Sequence, residues 1–205
     1  MPKREAKNLK KTADASGRSE TVAAREFDFA LVADGVKDLD EAVEDAMFEA
    51  GCDDATLSWR YGRLHLDFSR EAPSFAAAVL SAIRDVHAAG VGARVMHVDA
   101  CEFVTMAEIA RRSDRSRQVI HQYVTGQTGP GGFPPPEFDL TKNRPLWSWS
   151  EVSFWLAENQ MVRRAEFEEA SFLAAVNGAL AEVRQRQRQP EVVREVRETL
   201  GLPTG

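Results

Sequence analysis

Cysteine is scarce: Cys52 and Cys101 are the only two in 205 residues, in unrelated contexts, which argues against a disulfide framework. Long apolar runs are missing as well, none approaching the roughly 18 residues of a membrane span. The opening stretch Met1-Pro-Lys-Arg-Glu-Ala-Lys has no apolar segment of the secretory kind. These absences predict a soluble, cytoplasmic protein with no membrane partner. Cationic charge is in deficit, 26 Lys and Arg against 32 Asp and Glu for a net charge of −6, and as a total this argues against a nucleic-acid partner. There is no phosphate-cradling glycine loop, and no carboxylate pair at helical spacing with a histidine between. No nucleophile–base or metal-ligand set emerges, so the expectation is a non-enzyme with no cofactor and no metal. Asp53-Asp54 and His97-Val-Asp-Ala-Cys101 come nearest to cation sites. An aspartate pair more often opens a strand or turn, however, and one His/Cys pair without a second is a weak zinc signature.

The distribution of charge says more than its sum. Residues 1–20 hold six Lys/Arg against three acids, and residues 21–100 hold seven against fifteen. Residues 101–160 hold six against seven, yet Arg111, Arg112, Arg115 and Arg117 fall within seven positions. Lys142 and Arg144 stand together at an expected hairpin tip. A local basic face, rather than total charge, sets attraction to phosphate.

Residues 1–22 lack hydrophobic periodicity and read as a disordered basic tail. The plain interpretation is a solubilising segment; the sharper one is an arm adding salt-sensitive DNA affinity. Residues 26–100 read as an α/β unit. Phe27, Phe29 and Leu31 alternate as a half-buried strand, and Asp38 precedes an amphipathic helix through Leu39, Val43, Ala46 and Met47 that Gly51 closes. Ala55, Leu57 and Trp59 alternate, Tyr61-Gly62 turns, and Leu64, Leu66 and Phe68 return. Ser74 caps a helix through Phe75, Val79, Ile83 and Val86, and Val95, Met96 and Val98 supply a last strand. The order βαββαβ is the ferredoxin-like split arrangement, a fold that hosts many functions, small-molecule sensing and association among them.

Residues 103–158 carry the most informative pattern. Thr105 and Glu108 form a capping box for a helix Met106–Arg112, with Met106, Ile109 and Ala110 inward. Ser113-Asp114-Arg115 breaks that helix, and Ser116 caps the next, in which Val119, Ile120 and Tyr123 face inward. Arg117, Gln118, His121 and Gln122 remain on a solvent-facing stripe. Arginine pairs bidentately with guanine and glutamine with adenine, so these residue types suit base edges, while Ser116 and the free N–H groups of the helix start suit a phosphate oxygen. An ordinary polar helix face would look similar, but one without acids is uncommon in a chain this acidic. Gly126–Gly132 then reads as a flexible loop, and Phe133-Pro-Pro-Pro-Glu-Phe138 as an extended edge strand. Lys142, Asn143 and Arg144 form a basic tip, Leu146, Trp147 and Trp149 a strand, and Ser150 starts a helix holding Val152, Trp155 and Leu156.

Together these residues resemble the winged helix-turn-helix of the excisionase/AlpA and MerR-like superfamily of DNA-binding proteins. The resemblance rests on Thr105-Met-Ala-Glu-Ile-Ala110, Ser116-Arg-Gln-x-Ile120, Phe133-Pro-x-Pro136, and Leu146-Trp-x-Trp-Ser-Glu-Val152 with Trp155-Leu156. It covers about a quarter of the chain. It implies a recognition helix bearing Ser116, Arg117, Gln118, His121 and Gln122 and a wing bearing Lys142, Asn143 and Arg144, with Arg111, Arg112 and Arg115 as further DNA contacts. Two positions depart from the family: Asp114 replaces its turn glycine, and Arg115 replaces a small apolar plug and is expected to point to solvent or phosphate.

Residues 160–202 complete the chain. Val162, Ala165, Phe172, Leu173, Val176, Ala179, Leu180 and Val183 repeat at helical spacing up to Pro190, which is expected to end the helix; a shorter helix follows through Val192, Val193, Val196 and Leu200. The wide stripe must bury against something. A second copy is expected by resemblance; packing back onto the βαββαβ unit of the same chain is the alternative. The sequence therefore predicts an α+β protein in which a ferredoxin-like domain (26–100) for sensing or association precedes a winged helix-turn-helix (103–158) and a long C-terminal helix. The expected function is a sequence-specific double-stranded DNA-binding protein, a dimeric transcriptional regulator whose N-terminal domain takes a small-molecule or protein ligand. An excisionase-like architectural factor, an antitoxin, or an adaptor that has lost DNA are the other readings.

Overall fold

Alternating apolar residues assemble the main sheet. The computed structural model describes residues 24–140 and 144–203, so the basic tail and the tip residues Lys142 and Asn143 lie outside the described residues. Within them the chain is a mixed α+β protein with seven helices and a four-stranded antiparallel sheet. Strands β1 (Arg25–Asp34), β2 (Ala55–Arg60), β3 (Arg63–Ala72) and β4 (Arg94–Val98) take the order β2-β3-β1-β4. Leu57, Leu66 and Leu31 stand opposite one another across three strands. With a side-chain period of two, their face also carries Phe29, Ala33, Leu64 and Phe68. Helices α1 (Glu41–Glu49) and α2 (Phe75–Ala88) cover that face with Val43, Met47, Val79, Ala82 and Val86. The opposite face leaves Asp28, Asp67 and Ser69 exposed.

Capping sets the helix starts. Ser74 accepts from the Ala77 N–H at 3.1 Å, as its sequence position predicts. Helix α1 begins later than expected: Asp40, not Asp38, accepts from the Val43 N–H at 3.0 Å. Leu39 thus stands outside the helix but still packs against the core. The two-residue turn Tyr61-Gly62 has positive φ at both positions (53° and 75°), the backbone that matches the twist of a hairpin.

Arg70 is the fourth core-side residue of β3 after Leu64, Leu66 and Phe68, and it is buried. Its guanidinium donates to both carboxylate oxygens of Asp54 (2.7 and 2.8 Å), to Asp85 (2.6 Å), to Ser81 Oγ (3.1 Å) and to the Gly51 carbonyl (2.6 Å). All five N–H donors are satisfied, which is what lets a charge sit there. Asp54 is thereby a structural ion partner. Burial pushes the neighbouring Cys52 thiol up to about 11, with Asp85 adding to the rise.

The second unit begins with β5 (Phe103–Val104), followed by helices α3 (Met106–Arg112) and α4 (Arg117–Val124). Strands β6 (Phe138–Leu140) and β7 (Arg144–Ser148) complete a sheet of order β5-β7-β6 ahead of α5 (Trp149–Glu158). Two boundaries differ from expectation. Pro134–Pro136 precede the edge strand instead of lying in it, since proline supplies no ladder N–H. Trp149 is the first residue of α5 and not a strand residue; the cap position falls on Ser148, and Ser150, expected there, exchanges a 2.8 Å hydroxyl contact with it.

Helix α6 (Arg164–Arg188) binds the two units together. Phe172, Leu173, Val176 and Leu180 pack against the main-sheet core, so most of the stripe closes on its own chain. The Asn177 amide accepts from the Val98 N–H (2.8 Å) and donates to the Val98 carbonyl (3.1 Å) on the edge strand β4. Toward α5, Phe167 meets Phe154 at 5.1 Å and Arg164 pairs with Glu158 at 2.6 Å. Gln189 breaks the helix, and Pro190 opens α7 (Pro190–Thr199) rather than merely ending α6.

Asn177→Ala leaves the Val98 N–H without its partner, while the Val98 carbonyl keeps the Ala100 N–H at 2.8 Å. The expected loss is about 1–3 kcal/mol in urea denaturation, with faster hydrogen exchange at the Val98 amide. An unchanged Val98 exchange rate would show that packing alone holds α6.

Candidate nucleic-acid interface

Helix α4 is fixed at both ends and along one side. Asp114 adopts the left-handed conformation (φ 50°), which aspartate tolerates better than most residues, and reverses the chain after α3. Ser116 then accepts from the Val119 N–H at 3.2 Å. Ile120 is fully buried in a core with Val104, Ile109, Trp147, Val152 and Leu156, and Tyr123 and Val124 pack against it. Arg117, Gln118 and His121 are left exposed, with Gln122 half-buried at the rim. Among the described residues the side chains of Arg117, Gln118 and His121 enter no ion pair or hydrogen bond. The stripe is open.

An aromatic stack braces the back of α4. Tyr123 lies 5.3 Å from Trp155, Phe133 lies 5.0 Å from Trp155, and Tyr123 and Phe133 are 6.4 Å apart. The indole N–H of Trp155 donates to the Gly131 carbonyl at 2.9 Å, and that of Trp147 to the Pro134 carbonyl at 3.2 Å. At Gly129 (φ 89°) a Cβ would stand 2.7 Å from the Tyr123 ring, so only glycine fits. Residues 126–132, expected to form a flexible loop, are therefore fastened to the core. The indole N–H groups of large aromatics did this, a signal that hydrophobic patterning does not register.

The arginines that precede α4 are largely engaged within the protein. Thr105 caps α3 by accepting from the Glu108 N–H, but Glu108 does not complete the capping box. Its carboxylate instead accepts from Arg111 Nε and Nη2 (3.0 and 2.6 Å) and from Arg112 Nε (2.9 Å), bonds that pull its pKa down to about 2. Arg112 also lies 4.9 Å over the Trp149 ring. Arg115, expected to face solvent, is half-buried, and its Nε is shielded without a hydrogen-bond partner. Arg111 remains exposed and keeps Nη1 for a further acceptor. On the ribbon, Arg144 is exposed opposite Leu140 in the β6–β7 register, and Phe138 meets Phe103 edge-on at 4.9 Å at its base.

The arrangement presents planar donors from Arg117 and Gln118, a ring nitrogen from His121 and the unpaired N–H groups of the first helical turn, all on one rigid element. Among the described residues no three His, Cys, Asp or Glu side chains converge as metal ligands, and no helix is long and apolar enough to cross a membrane. No protein-family model, curated protein or solved structure matches this chain.

Because the folded pKa of Glu108 is depressed from 4.5 to about 2, the clamp contributes stability that is present above about 4.5 and lost as pH falls through about 2. The stability difference between wild type and Glu108→Gln should be full at pH 7 and shrink on acidification across that window, read from urea midpoints. A constant difference down to pH 2 would mean that the clamp acts by packing and not by charge.

Proposed function

We propose that this chain is a sequence-specific double-stranded DNA-binding protein acting as a dimeric transcriptional regulator. The observation that carries the proposal is the open Arg117–Gln118–His121 stripe on a helix braced from behind by Ile120, Tyr123 and Trp155. Helix–turn–helix, ribbon, helix is the order of a winged helix-turn-helix, and the motif resemblance over 103–158 supports the same assignment. In this proposal α4 enters the major groove, Arg117 and Gln118 read base edges, and the first-turn N–H groups hold a phosphate. Arg144, Arg111 and the tip residues Lys142 and Asn143 lie along the backbone. Arg112, held by Glu108 and lying over Trp149, supports the helices from within. The strand order β2-β3-β1-β4 with two helices on one face fits a ferredoxin-like domain over 26–100, which serves sensing or association. Bound protein acts by occupancy, blocking or assisting polymerase.

A second copy has a surface to use. Val192, Val196 and Leu200 line an exposed side of α7 at four-residue intervals. Laid antiparallel about a two-fold axis at Val196, Val192 meets Leu200 of the second copy and Val196 meets its own counterpart. Such self-complementarity suits an isologous dimer, and two recognition helices would then address half-sites about 34 Å apart.

Arg117→Ala and Gln118→Ala should each cost about 1–3 kcal/mol on a duplex selected from genomic fragments and relax preference at one base pair. Arg144→Ala should weaken all sequences alike and make the salt slope shallower by about one unit. Duplex binding that is absent even at low salt overturns the proposal in favour of a protein adaptor. Val196→Asp places like charges at the two-fold axis and should convert a dimer to a monomer in sedimentation; an unaltered dimer would locate the interface elsewhere.

A further inference from the structure

A cavity of about 270 Å³ lies where the segment 100–102 and the start of α5 meet α6. Leu173, Ala170, Ala174 and Trp149 give it a mainly apolar lining, and Glu102 lies in its wall. We propose that this cavity is a binding site for a small organic cation, an ammonium carried on an apolar or aromatic body, with Glu102 as its counter-ion.

Charge pairing decides the ligand class. Around the cavity Glu166 is bound by Arg163 at 3.0 Å, Glu169 by Arg25 at 3.4 Å, and the guanidinium of Arg112 is engaged by Glu108 at 2.9 Å. The Asn177 amide is taken up by Val98. Glu102 alone among these carboxylates has no cationic partner among the described residues. Burial pushes its carboxyl above the usual range and the nearby Glu137 pushes it further, so an arriving ammonium relieves both effects. An anion would meet three carboxylates and a single guanidinium that is already paired. A neutral molecule would leave Glu102 desolvated and unpaired. Apolar walls with one placed charge are the composition of a small-molecule pocket at the junction of two units.

The site also touches both halves of the protein. The Trp149 N–H donates to the Glu102 carbonyl at 2.8 Å, joining α5 to the segment that leaves β4. Leu173 belongs to the helix that braces the main sheet. An occupant therefore contacts the segment that leaves β4, the ribbon unit and α6 at once.

Phenethylammonium is the probe, titrated calorimetrically into the full chain at neutral pH without DNA. Binding with a Kd of about 1 mM or tighter is expected, the range open to so small a ligand. Hydrocinnamate, an anion of similar shape, should not bind. Glu102→Gln should weaken phenethylammonium by at least about tenfold, because one member of a desolvated charge pair is lost. Ala174→Leu should abolish binding by filling the cavity, with circular dichroism showing that both variants fold. Equal binding of the anion, undiminished binding to either variant, or no binding to wild type overturns the assignment. Since no DNA is present, that result leaves the reading of α4 untouched, and loss of duplex binding would leave this site untouched.

Discussion

The two hydrogen bonds between the Asn177 amide and the backbone of Val98 hold the protein's halves in one arrangement. β4 is an edge strand, and an edge leaves N–H and C=O groups without partners unless something covers them. A primary amide offers one donor and one acceptor at the spacing of a peptide group, so α6 satisfies a strand edge without a fifth strand. Once that clamp fixes α6, Phe172 and Leu180 complete the sheet core, while Phe167 and Ala170 set where α5 must lie. Helix α5 in turn carries Trp155 and Leu156, on which α4 rests. The orientation of the polar stripe is thus inherited, contact by contact, from the seating of α6 on the sheet unit, where Arg184 adds a 3.2 Å bond to the Met96 carbonyl.

Net charge misleads about this molecule because most of its arginines are engaged at home. Arg70 neutralises Asp54 and Asp85 within the sheet unit, and Arg111 and Arg112 share Glu108. Arg163, Arg164, Arg194 and Arg197 each have a glutamate along or between the C-terminal helices. Surface pairs of this kind contribute little to stability individually. Their consequence lies elsewhere: they remove cations from the surface. Among the described residues Arg117 and Arg144 enter no ion pair, nor do Arg63, Arg84 and Arg94 on the sheet unit, and the proposed interface follows from where unpaired cations stand on the ribbon unit, not from how many there are.

The elements were legible wherever a residue's role depended on its own neighbours in sequence. Alternation at Phe27–Leu31 and Leu64–Phe68, the caps Ser74, Thr105 and Ser116, and the positive φ tolerated by Asp114 all concern local backbone chemistry. The misses involve competing partners, some near and some distant in sequence. Glu108 had two arginines to choose over its own helix start, and charge pairing won over capping. The glycine loop looked loose because its two anchors, Trp147 and Trp155, lie 13 and 24 residues away from their acceptors. Two clues were present in the pattern. Arg70 continues the core-facing parity of β3, and Asn177 interrupts the apolar stripe between Val176 and Leu180. A polar residue at a core position signals a built partner, since an unpaired one costs several kcal/mol.

The rigidity behind α4 bears directly on whether its exposed residues could discriminate between ligands. Each long side chain ordered on binding costs about 0.5–1.5 kcal/mol, comparable with what one base contact returns. A helix that also had to be ordered would lose the difference. Here the Tyr123–Phe133–Trp155 stack, the glycine that admits it and the two indole hydrogen bonds have already fixed the backbone. Only the side-chain ends of Arg117, Gln118 and His121 remain to be placed. A polar face mounted this stiffly on an apolar scaffold, and left without partners inside the protein, is arranged for contacts that come from outside it.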